Sequence, residues 1–241
     1  MIERQIDIPT PHGATTTFIC HPERRGPHPP ILFFMDAPAI REELRDMARR
    51  LATAGYYVML PNLYSRAGVM EIGALGDEKV RQRMFELMNG LSIDMVMSDA
   101  AALIAFLDAD PAARPGTLGT LGYCMSGQFA INAAASFPAR VAAAASLYGT
   151  YLVTDQPNSP HLMAHRTKAE LYFGCAETDR WAPPETVQAL WESVKGLPNA
   201  EVEIYPGVEH GFAFPQRAAY DKAAAERHWE RLVALYRRRL G

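Results

Sequence analysis

From residue 29 onward, short apolar runs alternate with stretches that repeat at helical spacing. "PPILFFM" (29–35) has the pattern of a buried strand. Ile40, Leu44, Met47, Ala48 and Leu51 then fall on one helical face, Gly55 closes that helix, and "YYVMLP" (56–61) predicts the next buried strand. A long polar stretch follows, with no element assigned to it. Ile93, Val96, Ala100, Leu103, Ile104 and Leu107 mark a second amphipathic helix. Strands are predicted at 117–123, 141–148, from 169, and at 201–207, with a helix from about 125. "PPETVQALWESVKG" reads as a helix with proline in its first turn and Gly196 at its end. A final helix buries Trp229, Leu232, Val233, Tyr236 and Leu240. Before residue 30, "ERQIDIPT" and "TTTFICHP" have the look of an antiparallel hairpin.

Apolar strands separated by amphipathic helices predict an α/β fold: a mainly parallel, doubly wound sheet, with the N-terminal hairpin on its edge. Residues 1–241 are expected to form one domain without a large cap domain. In such sheets the loops at the carboxyl ends of the strands carry the ligand site. The composition, 49% apolar and 21% charged, suits a sizeable core. A formal charge of −3 gives no broad basic field, so no nucleic-acid partner is expected; "RRR" at Arg237–Arg239 complements a helix C-terminus. No signal peptide and no membrane span is expected. Three cysteines, Cys20, Cys124 and Cys175, without paired short spacing argue against a disulfide framework or a zinc site and point to a cytoplasmic location.

The candidate chemistry falls on the predicted strand ends. Cys124 lies between a strand and a helix in "GYCMSG", with small residues around it, the pattern of a nucleophile elbow; Ser126 is the small residue two positions on. The helix that starts there offers free backbone N–H groups to a thiolate or an oxyanion. "GCAETDRWAPP" follows a later strand and holds Glu177 and Asp179, of which Asp179 is preferred. "YPGVEHGFAF" follows the last strand and holds His210 between Gly207 and Gly211. Nucleophile, acid, histidine is the chain order of α/β-hydrolase triads. The expected oxyanion donors are the N–H groups of Met125 and Ala37. Asp36 is expected either to lie near the thiol or to cap the following helix. Among the other histidines, His161 and His165 are expected at the surface or in a loop, and His12, His21 and His28 are expected to be solvated near the hairpin. His228 falls in the final helix without an assigned role.

These motifs resemble the dienelactone hydrolase family of α/β-hydrolases over essentially the whole chain. "GYCMSG" is similar to that family's cysteine elbow, "HGF" to its histidine motif, "ETDRWAPP" to its aspartate motif, and "AGYYVMLPNLYSRAG" to its segment after the second parallel strand. The resemblance implies a Cys124–His210–Asp179 triad, no metal, no organic cofactor, and hydrolysis of a small-molecule ester or lactone by a monomer or homodimer. Two departures stand out. Asp36 occupies the position of a family glutamate, and Phe214 that of a substrate-binding arginine, which favours a less charged ester. A second family arginine survives as Arg81, with Arg83 as the alternative. Tyr148, Trp181, Phe212 and Phe214 are the expected pocket residues, together with Tyr151. Two other readings stay open: a redox-active thiol protein, and a non-catalytic ligand-binding module on a hydrolase scaffold.

Overall fold

The computed structural model describes every residue except 74 and 75. It forms two compact units, Met1–Gly116 and Thr117–Gly241. In the first, the strand order is β1-β2-β4-β3, with β1 (Ile2–Thr10), β2 (Gly13–His21), β3 (Pro30–Phe34) and β4 (Tyr57–Pro61). The hairpin β1–β2 is antiparallel in register from Ile2↔His21 to Thr10↔Gly13, β2 is antiparallel to β4, and β3 runs parallel to β4. Every residue of β3 and β4 is buried, as continuous apolar strands covered on two faces require. Neighbouring positions on β1 show what covers those faces. Glu3 pairs with Arg49 of α1 (Glu42–Thr53), whereas Arg4 lies over Phe106 of α3 (Ile93–Ala109) and pairs with Asp110 just beyond it. Consecutive strand residues point to opposite sides, so α1 and α3 flank the strands from opposite faces.

The second unit is β5-β6-β7-β8, all parallel, from β5 (Leu118–Tyr123), β6 (Val141–Leu147), β7 (Glu170–Thr178) and β8 (Ala200–Glu209). The same alternation argument places its helices. The Thr120 hydroxyl donates to the Ala130 carbonyl of α4 (Gly127–Ser136), while a Cβ at Gly119 would meet the Tyr236 ring of α7 (Lys222–Leu240) at 2.7 Å. Among the described residues, β6 and β7 are joined through nothing larger than α5 (Pro160–Met163) and one 3-10 turn. The helix α6 (Pro184–Val194) connects β7 to β8.

Three expectations are corrected. The polar stretch before α3 contains another helix, α2 (Glu78–Asn89). Val80, Met84, Leu87 and Met88 do recur at helical spacing, but Leu87 is its one fully buried residue and the others are half-buried in a largely polar stretch; Asp77 caps it by accepting from the N–H groups of Lys79 and Val80. His21 and His28 are buried, not solvated. His21 stacks on Tyr57 at 5.3 Å and sits 6.0 Å from His28, and burial holds His28 below the ordinary imidazole range. In α7, Val233 is half-buried and Leu235 takes the core position.

Candidate active site

The strand β5 stops at Tyr123, and Cys124–Ser126 forms a single 3-10 turn that leads into α4. Cys124 has φ 55, the left-handed region that costs an ordinary residue roughly 1–2 kcal/mol. Tight packing around the turn holds it there. A Cβ at Gly122 would stand 2.1 Å from the Ser126 carbonyl oxygen, and one at Gly127 would stand 2.3 Å from Ser146 Oγ. Ser126 is fully buried; its hydroxyl accepts from the Tyr123 N–H at 3.1 Å and donates to the Tyr123 carbonyl at 3.0 Å. It closes the turn and cannot reach a substrate. From the β6 side, the Thr150 N–H donates to the Cys124 carbonyl at 3.0 Å.

The acid and the base come from the ends of β7 and β8. Gly207 and Gly211 take positive φ on either side of His210. His210 Nδ1 donates to Asp179 Oδ2 at 2.7 Å, while Asp179 Oδ1 accepts the N–H groups of Trp181 at 2.8 Å and Ala182 at 3.2 Å. Glu177, still within β7 and exposed, instead accepts the Gly207 N–H at 2.7 Å. Burial opposes charge on His210, but hydrogen bonds to Asp179 and Cys124, and the charges of both, outweigh it and raise the imidazole to about 9. Cys124, His210 and Asp179 are thus one connected chain.

The other expected site residues are spread more widely. Tyr148, at φ 35, lies edge-on to His210 with ring centroids 4.9 Å apart. Trp181 is 41% exposed under the Arg180 guanidinium, and Tyr151 is 45% exposed. Phe212 and Phe214 are buried, Phe212 against Tyr205 and Phe214 against Tyr123, so they back the site rather than open onto solvent. A preference for neutral esters would therefore rest on the missing arginine at position 214 and not on contact between Phe214 and the substrate. Met125 leads into α4, and its carbonyl accepts from the Gln128 side chain.

In the first unit, Asp36 is buried and held by Arg41 through two bonds, at 2.6 and 3.2 Å, and Arg41 also binds Glu43. Asp36 is not the cap of α1, because Arg41 occupies the cap position. Sequence reasoning passes over Arg41, whose one signal was a cation shortly after Asp36. The Ala37 carbonyl accepts the Tyr64 hydroxyl at 3.0 Å, and Arg81 is exposed on α2 with a bond to the Gly76 carbonyl. Roles for Asp36, Ala37 and Arg81 in the reaction rest on the sequence pattern. Among the described residues, no three His, Cys, Asp or Glu side chains group to hold a metal ion, and no single helix is long and apolar enough to cross a membrane.

The model of the dienelactone hydrolase family matches residues 15–240, from β2 through α7. The chain belongs to the dienelactone hydrolase family. With the family comes its activity class: the protein is a hydrolase of carboxylic esters or lactones. It is 29% identical over 98% of its length, and 81% of the relative's, to a Methylorubrum extorquens protein named "Putative carboxymethylenebutenolidase". It is 24% identical to the carboxymethylenebutenolidase of Pseudomonas putida, over 93% of this chain and 92% of that one. In structure it is similar to a Klebsiella pneumoniae protein described as a "Putative Dienelactone Hydrolase", with TM-score 0.85, 23% identity and 98% of both chains covered. These likenesses make the fold that of the α/β-hydrolases.

Proposed function

We propose that this family member cleaves its ester or lactone by acyl transfer through Cys124, with His210 carrying the proton and Asp179 orienting it. The supporting observation is the 2.7 Å bond from His210 to the buried Asp179 carboxylate, made by the same imidazole that hydrogen-bonds Cys124. A packing cysteine has no use for such a histidine. The thiolate sulfur attacks the carbonyl carbon, and the carbonyl electrons move to oxygen, where the Met125 N–H at the start of α4 stabilises them. Collapse breaks the bond to the alcohol oxygen, which takes the proton from the His210 imidazolium, and the acyl group remains as a thioester on Cys124. Water then gives a proton to His210 as it attacks the thioester, and the second collapse releases the carboxylic acid and restores the thiolate. In a lactone, alcohol and acid stay on one molecule. The steps use no metal ion and no organic cofactor.

Trp181, beside the acid and well exposed, is the surface offered to the substrate, while Tyr148 is fully buried against His210 and backs the base, with Phe212 and Phe214 behind it. We assign the activity to a cytoplasmic monomer or homodimer in which residues 1–241 work as one domain. Unpaired cysteines support that location. The redox alternative wants a resolving thiol. Cys20 and Cys175 are both buried, and burial pushes both thiols up to about 12.

Turnover of p-nitrophenyl acetate tests the reading. Wild-type protein is expected to hydrolyse it and to be protected by substrate against iodoacetamide, and Cys124→Ala is expected to lose both properties. Equal turnover by wild type and Cys124→Ala would overturn the proposal. Peroxide turnover with sulfenic acid on Cys124 and no ester hydrolysis would favour the redox alternative.

A further inference from the structure

The residue before the nucleophile is fixed from two directions. The Tyr123 backbone exchanges two hydrogen bonds with the Ser126 hydroxyl, and its phenol oxygen lies 2.9 Å from His228 Nε2. Both side chains are fully buried, and His228 belongs to α7. The other ring nitrogen of His228 bonds the Ala225 carbonyl. A carbonyl accepts and never donates, so Nδ1 carries a proton; in the neutral imidazole Nε2 is then the acceptor and the Tyr123 hydroxyl donates to it. The Tyr123 ring meets Tyr148 at 5.7 Å and Phe214 at 5.3 Å, and Tyr148 in turn lies against His210. Cys124 follows Tyr123 in a left-handed conformation, which persists where its surroundings over-determine it.

We propose that His228 is a positioning residue: by accepting the Tyr123 hydroxyl, it locks the strand end that presents Cys124 to His210. The inference rests on Cys124 as the nucleophile. His228 touches no reacting atom and acts through Tyr123.

Three variants separate positioning from packing. His228→Leu takes the Nε2 acceptor away from the buried Tyr123 hydroxyl. His228→Gln returns an acceptor oxygen near the place of Nε2. The double variant Tyr123→Phe with His228→Leu removes both partners and so restores the polar balance without the tie. Each is assayed for kcat and KM with p-nitrophenyl acetate, for the iodoacetamide labelling rate at Cys124, and for Tm. His228→Leu is expected to lose roughly 10- to 100-fold in kcat, with KM within about twofold and labelling slowed in parallel. His228→Gln is expected to recover most of the rate. The double variant is expected to regain Tm but neither kcat nor labelling. If kcat and labelling return with Tm in the double variant, the pair is packing and the proposal falls. Wild-type kcat and labelling in His228→Leu would overturn it equally. If wild-type protein labels at Cys124 yet hydrolyses no ester, the hydrolase mechanism fails while the labelling rates still decide the role of His228.

Discussion

At neutral pH the His210 imidazole carries a proton against the pull of its own burial, because Asp179 and Cys124 both bond it and both favour its charge. Its folded value, about 9, lies above the ordinary 6.5. The stabilisation from this cation is therefore complete below about 6.5 and is lost as pH rises through about 9. In the proposed acyl transfer the same proton reaches the leaving alcohol. For an alkyl ester, kcat/KM is accordingly expected to fall as pH rises through about 9, a limb readable from a pH–rate profile. Asp179→Asn keeps the shape of the acid but removes its charge. It is expected to move that limb to lower pH and cut kcat on the order of 10⁴-fold, as in other triads. Glu177→Gln, which touches a backbone N–H at an exposed position, should leave kcat within about twofold. A large loss there, with activity kept in Asp179→Asn, would mean that the acid is misassigned.

At the scale of elements, Cys124, the proposed nucleophile, sits on a turn squeezed between β5, β6 and α4. Gly127 shows how little room remains: its added Cβ would stand 2.6 Å from the Cα of Gly149, and backbone does not yield as a flexible side chain does. Gly127→Ala is expected to cost about 1–3 kcal/mol and to depress kcat as the elbow shifts. Gly196→Ala, where an added Cβ meets nothing within 4 Å, should change stability by less than about 0.5 kcal/mol. Urea unfolding midpoints of the two variants decide the point, and equal midpoints would show that the turn tolerates the extra atom. β5 itself is held on both faces, by the Thr120 bond to α4 and by α7, whose Tyr236 hydroxyl donates to the Thr120 carbonyl at 2.8 Å.

Across the whole molecule, the three cysteines stand in unlike surroundings. Cys20 and Cys175 are buried and pushed up to about 12, whereas Cys124 is partly exposed on its turn. The folded protein is expected to react with a thiol reagent at one site per chain, Cys124, and at all three cysteines once unfolded. Mass spectrometry of labelled peptides checks this, and labelling of Cys20 or Cys175 under native conditions would contradict the packing described.

Among the described residues the eight strands are legible from sequence: the central ones as continuous buried apolar runs, and the edge strands β1 and β8, which bury little, from their alternation and β-branched residues. The same pattern misses α2, where Leu87 is buried, Val80, Met84, Phe85 and Met88 are half-buried, and the polar residues between them face solvent. At the site, Cys124, Asp179 and His210 are legible because glycines and strand ends mark them locally. The burial of His21, His28, Phe212 and Phe214 is not legible, since each depends on rings that arrive from distant segments. The same holds for the Arg41 clasp on Asp36. Sequence alone determined which residues are the candidates for the chemistry and the order in which they come, because turn sterics and side-chain reactivity are local. Tertiary structure alone decided their further partners: Arg41 on Asp36, and His228 on Tyr123, 105 residues apart in the chain. Hydrogen bonds of that reach are set by how strands and helices pack, and no local pattern encodes the packing.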